Sequence, residues 1–247
     1  VYDVDYRHPV TLAKEIATLD VVSGGRVEFG IGAGWMTDDY EAAGIEFDRP
    51  GVRIDRMIEA IEVVQGLWSG EPFNFRGSHY EISGLTGTPS PHQPGGPPII
   101  VGGGGKRVLT EAALRADIVG LNASLHAGSV GPETALSALG ERFLERRNWV
   151  EEAAGDRFAD IELQMNTFMT AVTNTTSEAD QMFEGMAPMF GLSPEQARTI
   201  PMVLAGTISD VCDQLHQYRE LYGTSYWVIH EGEVDAMAPV VAKMTDT

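Results

Sequence analysis

The chain has 247 residues, 43% of them hydrophobic, which is enough to bury a core in one large domain or two small ones. Seventeen Lys and Arg stand against 36 Asp and Glu, a net charge of −19 that argues against nucleic acid, whose phosphates need basic partners. The single Cys212 excludes an internal disulfide and fits a reducing, cytoplasmic setting, and no apolar run approaches the ~20 residues of a membrane span.

Taken in order, Val1 to Val4 reads as the end of a strand and Asp5 to His8 as a turn. Pro9 suits the first turn of a helix that carries Val10, Ala13, Ile16, Ala17 and Leu19 inward and stops at Ser23-Gly24-Gly25. Arg26 to Ile31 alternates like a strand, and Gly30, Gly32 and Gly34 then remove every second side chain. Three glycines at period two suit something flat lying against the backbone, or a β-bulge with loop glycines. Asp38 to Asp48 reads as an acidic loop. A helix follows over Arg49 to Trp68, with Ile54, Met57, Ile58, Ile61, Val64 and Trp68 on one face.

Residues 69–98 break the rhythm with two short strands around Gly77 and read as an insertion. Pro98 to Val101 is a strand, the helix Val108 to Arg115 and the strand Asp117 to Leu121 come next, and His126 to Pro132 is a loop. A helix over Glu133 to Ala153, with Leu136, Leu139, Phe143 and Trp149 inward, leads to the strand Ile161 to Asn166. Residues 173–201, with a helix near Glu178 to Phe190, read as a lid or second insertion. The helix Val211 to Leu221, the strand Ser225 to Ile229 and the helix Ala236 to Met244 close the chain. Strands alternating with helices predict an α/β fold with parallel strands, and no linker divides the single domain 1–247.

The clearest chemical signal is Ile99-Ile100-Val101 running into Gly102, Gly103, Gly104, Gly105, Lys106 and Arg107 at a helix start. Backbone N–H groups, the positive end of a helix and two cations gather there, which is a phosphate site by physics; the alternative is a glycine loop with a solvated basic pair. It is not a P-loop, because Arg107 stands where a Ser or Thr would bind the metal. The six histidines are scattered singly and none has metal-ligand spacing, so no metal site is expected. His230 ends the last strand, where parallel α/β folds carry their active sites, and is a candidate catalytic residue.

YRHPVTLAKEIATLDVVSGGRVEFGIGAGW, RIDRMIEAIEVVQGLW, PPIIVGGGG and VLAGTISDVCDQLHQYRELYGTSYWVIH together resemble the luciferase-like flavin and deazaflavin oxidoreductases. Within these they are most similar to the coenzyme F420-dependent branch. The resemblance implies a (β/α)8 TIM barrel, usually a homodimer, with insertions at one face. It also implies an enzyme that moves a hydride between coenzyme F420 and a small-molecule substrate, or a monooxygenase that uses reduced FMN with oxygen. A phosphate-ligand-binding barrel without turnover is the reading from outside enzymology.

Carried over by the resemblance, Gly32, Ala33 and Gly34 would line the deazaflavin, and Trp35 would stand at its reacting end as a catalytic residue. Gly102 to Gly105 with Lys106 and Arg107 would hold the cofactor phosphate. A strained non-proline cis bulge would lie beneath the ring at about Val1, with Asp3 near the ring edge. Sugar-phosphate dehydrogenases of the family carry a carboxylate at the position of Trp35, so their activity is not implied. The resemblance begins at the family's third strand and six strands are legible, so the first two βα units are expected to be missing.

Overall fold

The βα rhythm read from the sequence is the one the chain adopts. A computed structural model describes residues 1–126, 128 and 130–245. It divides into two compact units, Val1–Gly102 with Glu111–Ile118, and Gly103–Thr110 with Val119 onward.

The first unit opens with β1 (Tyr2–Asp3) and α1 (Pro9–Ser23). Pro9 sits in the first turn of α1, and Gly24 ends it at φ +70°, a left-handed conformation that glycine reaches without a Cβ penalty. There follow β2 (Phe29–Gly32), α2 (Thr37–Ala43), α3 (Pro50–Trp68), β3 (Phe73–Arg76), β4 (Glu81–Leu85) and β5 (Ile99–Gly103). β1 and β2 pair in parallel with Tyr2 opposite Ile31, and β2 and β5 with Phe29 opposite Ile99. Leu12, Ile16, Phe29, Ile31, Met57, Ile61 and Val64 are buried among these elements. Each such aliphatic or aromatic side chain contributes about 1.5–3 kcal/mol by leaving water.

β3 and β4 form an antiparallel hairpin, as the two short strands around Gly77 predict. Glu59 on α3 holds its turn by accepting the N–H groups of Ser78, His79 and Tyr80 at 2.6, 2.8 and 3.1 Å. Burial alone would raise the Glu59 carboxyl, but those donors keep it below the usual range.

α4 (Lys106–Arg115) starts two residues earlier than its sequence pattern suggests. The second unit contains β6 (Ile118–Leu121), α5 (Pro132–Ser137), α6 (Gly140–Ala154), β7 (Glu162–Asn166), β8 (Met169–Val172), α7 (Thr176–Met186), α8 (Pro194–Arg198), β9 (Val203–Gly206), α9 (Ile208–Tyr222), β10 (Thr224–Val228) and α10 (Val234–Thr245). Strands β6, β7 and β10 are neighbours in that order, and β7 pairs with β10 in parallel.

Four elements depart from the sequence reading. The acidic stretch after Trp35 forms α2, whose Asp38 and Asp39 lie in the first turn, where the helix dipole favours them. The helix expected over Glu133 to Ala153 breaks at Ala138 and Leu139, where Leu139 takes an extended backbone (φ −61°, ψ 146°) and caps α6, and close packing on Thr199 O and the Tyr222 hydroxyl leaves room only for glycine at 140. Leu136, expected inward, is exposed in consequence. A parallel pair, β8 with β9, joins Met169 to Val203 and Val172 to Gly206 on either side of the segment read as a lid. The loop expected over His126 to Pro132 contains Ala127 and Ser129, which lie outside the described residues. Among the described residues no helix is long and apolar enough to cross a membrane.

Candidate functional site

In the first unit the glycine exit of β2 meets a half-buried polar cluster around the buried Tyr40. The Tyr40 hydroxyl lies 2.9 Å from Asp3 Oδ1 and 2.7 Å from Asp5 Oδ2, and Asp3 Oδ1 also accepts the Asp5 N–H at 3.0 Å. Arg56 binds Asp5 and Asp48 by ion pairs. Burial pushes the Asp3 carboxyl up, against the opposing Asp5 N–H and Tyr40 hydroxyl. Burial raises the Tyr40 phenol as well, and its bonds to Asp5 and Asp3 reinforce the shift.

Gly34 closes on this cluster. Its φ is +68°, and a Cβ there would lie only 2.0 Å from the Tyr40 hydroxyl and 2.5 Å from Asp3 Oδ2, which leaves glycine as the residue that fits. At Gly34, then, the protein's own side chains fill the space that period-two glycines suggest for a flat ligand. Gly30 and Gly32 differ: a Cβ at either would meet Val1, at 3.0 and 3.3 Å, and Val1 itself is 88% exposed.

Arg53, on α3, is 5% exposed and donates from one nitrogen to two successive carbonyls, Ala33 O at 2.9 Å and Gly34 O at 2.7 Å. Its Nε binds Asp48 O at 2.9 Å, and its guanidinium lies 3.9 Å from the Phe47 ring centroid. Trp35 follows, half-buried, at the mouth of the exit. The non-proline cis peptide expected near Val1 does not occur; among the described residues the cis bond is Thr88–Pro89.

In the second unit the glycine exit of β5 runs into α4. Gly103 is required by Val108, whose Cγ1 would lie 2.3 Å from a Cβ there, and Gly104 by the backbone at Ala123 O, 2.4 Å away. Gly105 has nothing within 4 Å and accepts the Leu109 N–H at 3.2 Å, which makes it the cap of α4. Beneath the loop lies Arg146 of α6, 4% exposed, donating to Gly104 O at 3.0 Å and Ser137 O at 2.7 Å. It forms no ion pair among the described residues, and burial pulls its guanidinium down to about 10. Lys106 extends over the Trp149 ring at 6.0 Å.

The structure therefore brings Asp3 and Gly34 together, sets Val1 over Gly30 and Gly32, and gathers Gly103, Gly104 and Gly105 with a buried cation. His230 stands exposed before a short 3-10 turn and its side chain caps nothing. Sequence reasoning missed Arg53, Tyr40 and Arg146. Both arginines lie on the apolar stripe of their helices, Arg53 with Met57, Ala60 and Ile61, and Arg146 with Phe143 and Val150. A charge at an inward position is the signal that marks them.

Comparison with known proteins bears on this geometry. Uncharacterized proteins of Mycobacterium tuberculosis share 41% identity over 117 residues, 47% of this chain and 38% of their own length. The F420-dependent hydroxymycolic acid dehydrogenase of the same organism is 36% identical over 110 residues, 44% of this chain and 30% of that protein. The FMNH(2)-dependent dimethylsulfone monooxygenase of Pseudomonas fluorescens is 33% identical over 107 residues, 43% of this chain and 29% of that protein. The matches thus span less than two fifths of the length of these relatives. Among solved structures, the EDTA monooxygenase of Chelativorans sp. BNC1 superposes over 99% of this chain and 72% of its own, with a TM-score of 0.75 at 15% identity, which speaks for the fold alone. The model of the luciferase-like monooxygenase family matches residues 3–243, and the chain belongs to that family of F420- or FMN-dependent oxidoreductases and monooxygenases.

Proposed function

We propose that the chain is an oxidoreductase that binds coenzyme F420 and acts by hydride transfer to or from a small organic substrate. The observation that carries this reading is the exit of β5. The N–H groups of Gly104 and Gly105 have no acceptor among the described residues, they adjoin the positive end of α4, and the buried Arg146 holds the Gly104 carbonyl. N–H groups without an acceptor beside a helix N-terminus are what a phosphate oxygen would accept from, and the arginine on the carbonyl side fixes which way they face.

Gly105, Lys106 and Arg107 would take the phosphate, on a loop whose backbone is Gly102, Gly103 and Gly104. In the first unit Gly32 and Ala33 would face the flat ring, with Gly34 shaping the exit, Trp35 at the reacting end, and Val1 and Asp3 to one side. A bound deazaflavin supplies the hydride. The chain binds and orients it, and His230 is the candidate to carry a proton for the substrate. The FMN-dependent monooxygenase is the second reading, supported by the 33% identity to the FMNH(2)-dependent enzyme.

Gly105 gives a clean test, since nothing lies within 4 Å of a Cβ there. Aspartate is a preferred helix cap, so Gly105→Asp keeps the fold or stabilises it by up to about 1 kcal/mol, relative to Gly105→Ala. The same carboxylate repels a phosphate, and F420 affinity in a fluorescence-quench titration falls about tenfold or more. Wild-type affinity in Gly105→Asp removes the phosphate reading. Binding of FMN in place of F420 by the unmutated chain selects the second reading, and binding of neither overturns both.

A further inference from the structure

Two successive carbonyls of the β2 exit, Ala33 O and Gly34 O, converge on one nitrogen of Arg53 at 2.9 and 2.7 Å. Both peptides are trans, and in a planar trans peptide the N–H points opposite to the C=O. The N–H groups of Gly34 and Trp35 are therefore turned away from Arg53. Neither donates to an acceptor among the described residues. Gly34 sits at φ +68°, the left-handed member of the backbone pairings that set two N–H groups side by side as a concave acceptor site.

Arg53 is itself fixed on every side. Its Nε is held by Asp48 O at 2.9 Å, its face lies 3.9 Å over Phe47, and it is 5% exposed. It forms no ion pair among the described residues, although Arg56, one helical turn on, takes two. Burying an arginine to bind carbonyls rather than a carboxylate is costly for stability alone, because backbone carbonyls only partly offset lost hydration. The arrangement makes sense where the orientation of the carbonyls matters.

We propose that Arg53 is a positioning residue. It turns the Ala33–Gly34 and Gly34–Trp35 peptides so that their N–H groups form a binding point for an acceptor oxygen on a flat ligand, and it sets the orientation of Trp35. The ligand part of this rests on the cofactor reading above, whereas the placement of Trp35 does not.

The test uses the whole chain labelled with 5-fluorotryptophan, with the Trp35 resonance assigned by Trp35→Phe, alongside fluorescence titrations with F420 and FMN. In Arg53→Met the Trp35 signal shifts while those of Trp149 and Trp227 stay in place, and affinity for the flat ligand falls about tenfold, the worth of a hydrogen bond made in a dry site. Arg53→Lys retains a cation but cannot reach Asp48 O and both carbonyls with one ammonium. It therefore restores the thermal transition without restoring the affinity, and it is the deciding variant if Arg53→Met does not fold.

An unmoved Trp35 resonance, or ligand affinity within about twofold of wild type in Arg53→Lys, overturns the proposal, since a merely structural arginine leaves both untouched once the fold is intact. If the unmutated chain binds neither F420 nor FMN, the cofactor reading fails. The fluorine spectrum then still decides whether Arg53 places Trp35.

Discussion

Gly34→Ala separates what the β2 glycines do for the fold from what they do for a ligand. Alanine at φ +68° costs about 1–2 kcal/mol through the clash of Cβ with backbone. The new methyl would lie 2.0 Å from the Tyr40 hydroxyl and 2.8 Å from its ring carbon, so the tyrosine must move by more than an ångström. Tyr40 is 1% exposed and packed against Phe47 with ring centroids 4.8 Å apart, so the move breaks its bonds to Asp3 and Asp5. Hydrogen bonds to charged groups are worth about 1.5–3 kcal/mol each, and the two losses overlap because one phenolic proton serves both carboxylates. The total is about 3–6 kcal/mol, a large part of the stability of an ordinary domain. Gly32→Ala should cost less than about 1 kcal/mol, because its Cβ meets only an exposed Val1 at 3.3 Å and its φ is not positive. Urea unfolding followed by tryptophan fluorescence reads both. In a Tyr40→Phe background the cost of Gly34→Ala should shrink, since the nearest clashing atom is gone. Equal costs at the two glycines, or a Gly34→Ala cost below about 1 kcal/mol, refute the steric reasoning.

Asp3→Asn tests the half-buried carboxyl. Its folded-state pKa is raised above the ordinary 3.8, so its contribution to stability is fully present below that value and lost as pH rises through the folded value. The asparagine variant should therefore gain on wild type between acid and neutral pH in urea titrations, and a constant difference would contradict the shift. Gly104→Ala should destabilise by about 2 kcal/mol or more, because the clash is with backbone at Ala123, whereas Gly105→Ala stays within about 0.5 kcal/mol; differential scanning calorimetry separates them. Arg146→Met removes the bonds to Gly104 O and Ser137 O and should cost about 1–3 kcal/mol. It should also abolish the stabilisation of the thermal transition by added pyrophosphate, and undiminished stabilisation there would dissociate Arg146 from anion binding.

The strands that alternate or run apolar were legible. Phe29–Gly32, Ile99–Gly103, Ile118–Leu121 and Thr224–Val228 lie where β-branched and aromatic residues cluster between glycine or polar stops, and Glu162–Asn166 alternates polar and apolar. β8 and β9 were not, and the reason is physical. Met169–Val172 and Val203–Gly206 border the segment read as an insertion, and each finds its only pairing partner in the other, across that segment, among the described residues. α2 was hidden by composition. Tyr40 is its one buried residue, so no apolar stripe announces Thr37–Ala43, and its acids are read as solvation when they sit in the first turn of a helix.

The glycines of both strand exits were visible, but what they answer to was not. Glycine at period two reports that something approaches the backbone without saying what. At Gly34 it is Tyr40 and Asp3, at Gly104 the neighbouring strand exit, and at Gly105 the space is open. The two arginines complete the account. Each lies on a helix face whose other members are apolar, Arg53 in step with Met57 and Ile61, Arg146 in step with Phe143 and Val150. The apolar face of α3 drawn from the sequence runs through Ile54 and Ile58, which are only half-buried. The true stripe is turned toward Arg53. An arginine in step with a core stripe must either snorkel to water or find oxygen inside, and both of these find backbone carbonyls of a glycine-rich exit. Glycine makes such carbonyls approachable, and a rigid guanidinium fork fixes which way they face. Each unit thus carries the same pairing of an inward arginine with a glycine exit, and the N–H groups on the far side of those peptides are where a ligand oxygen would be held.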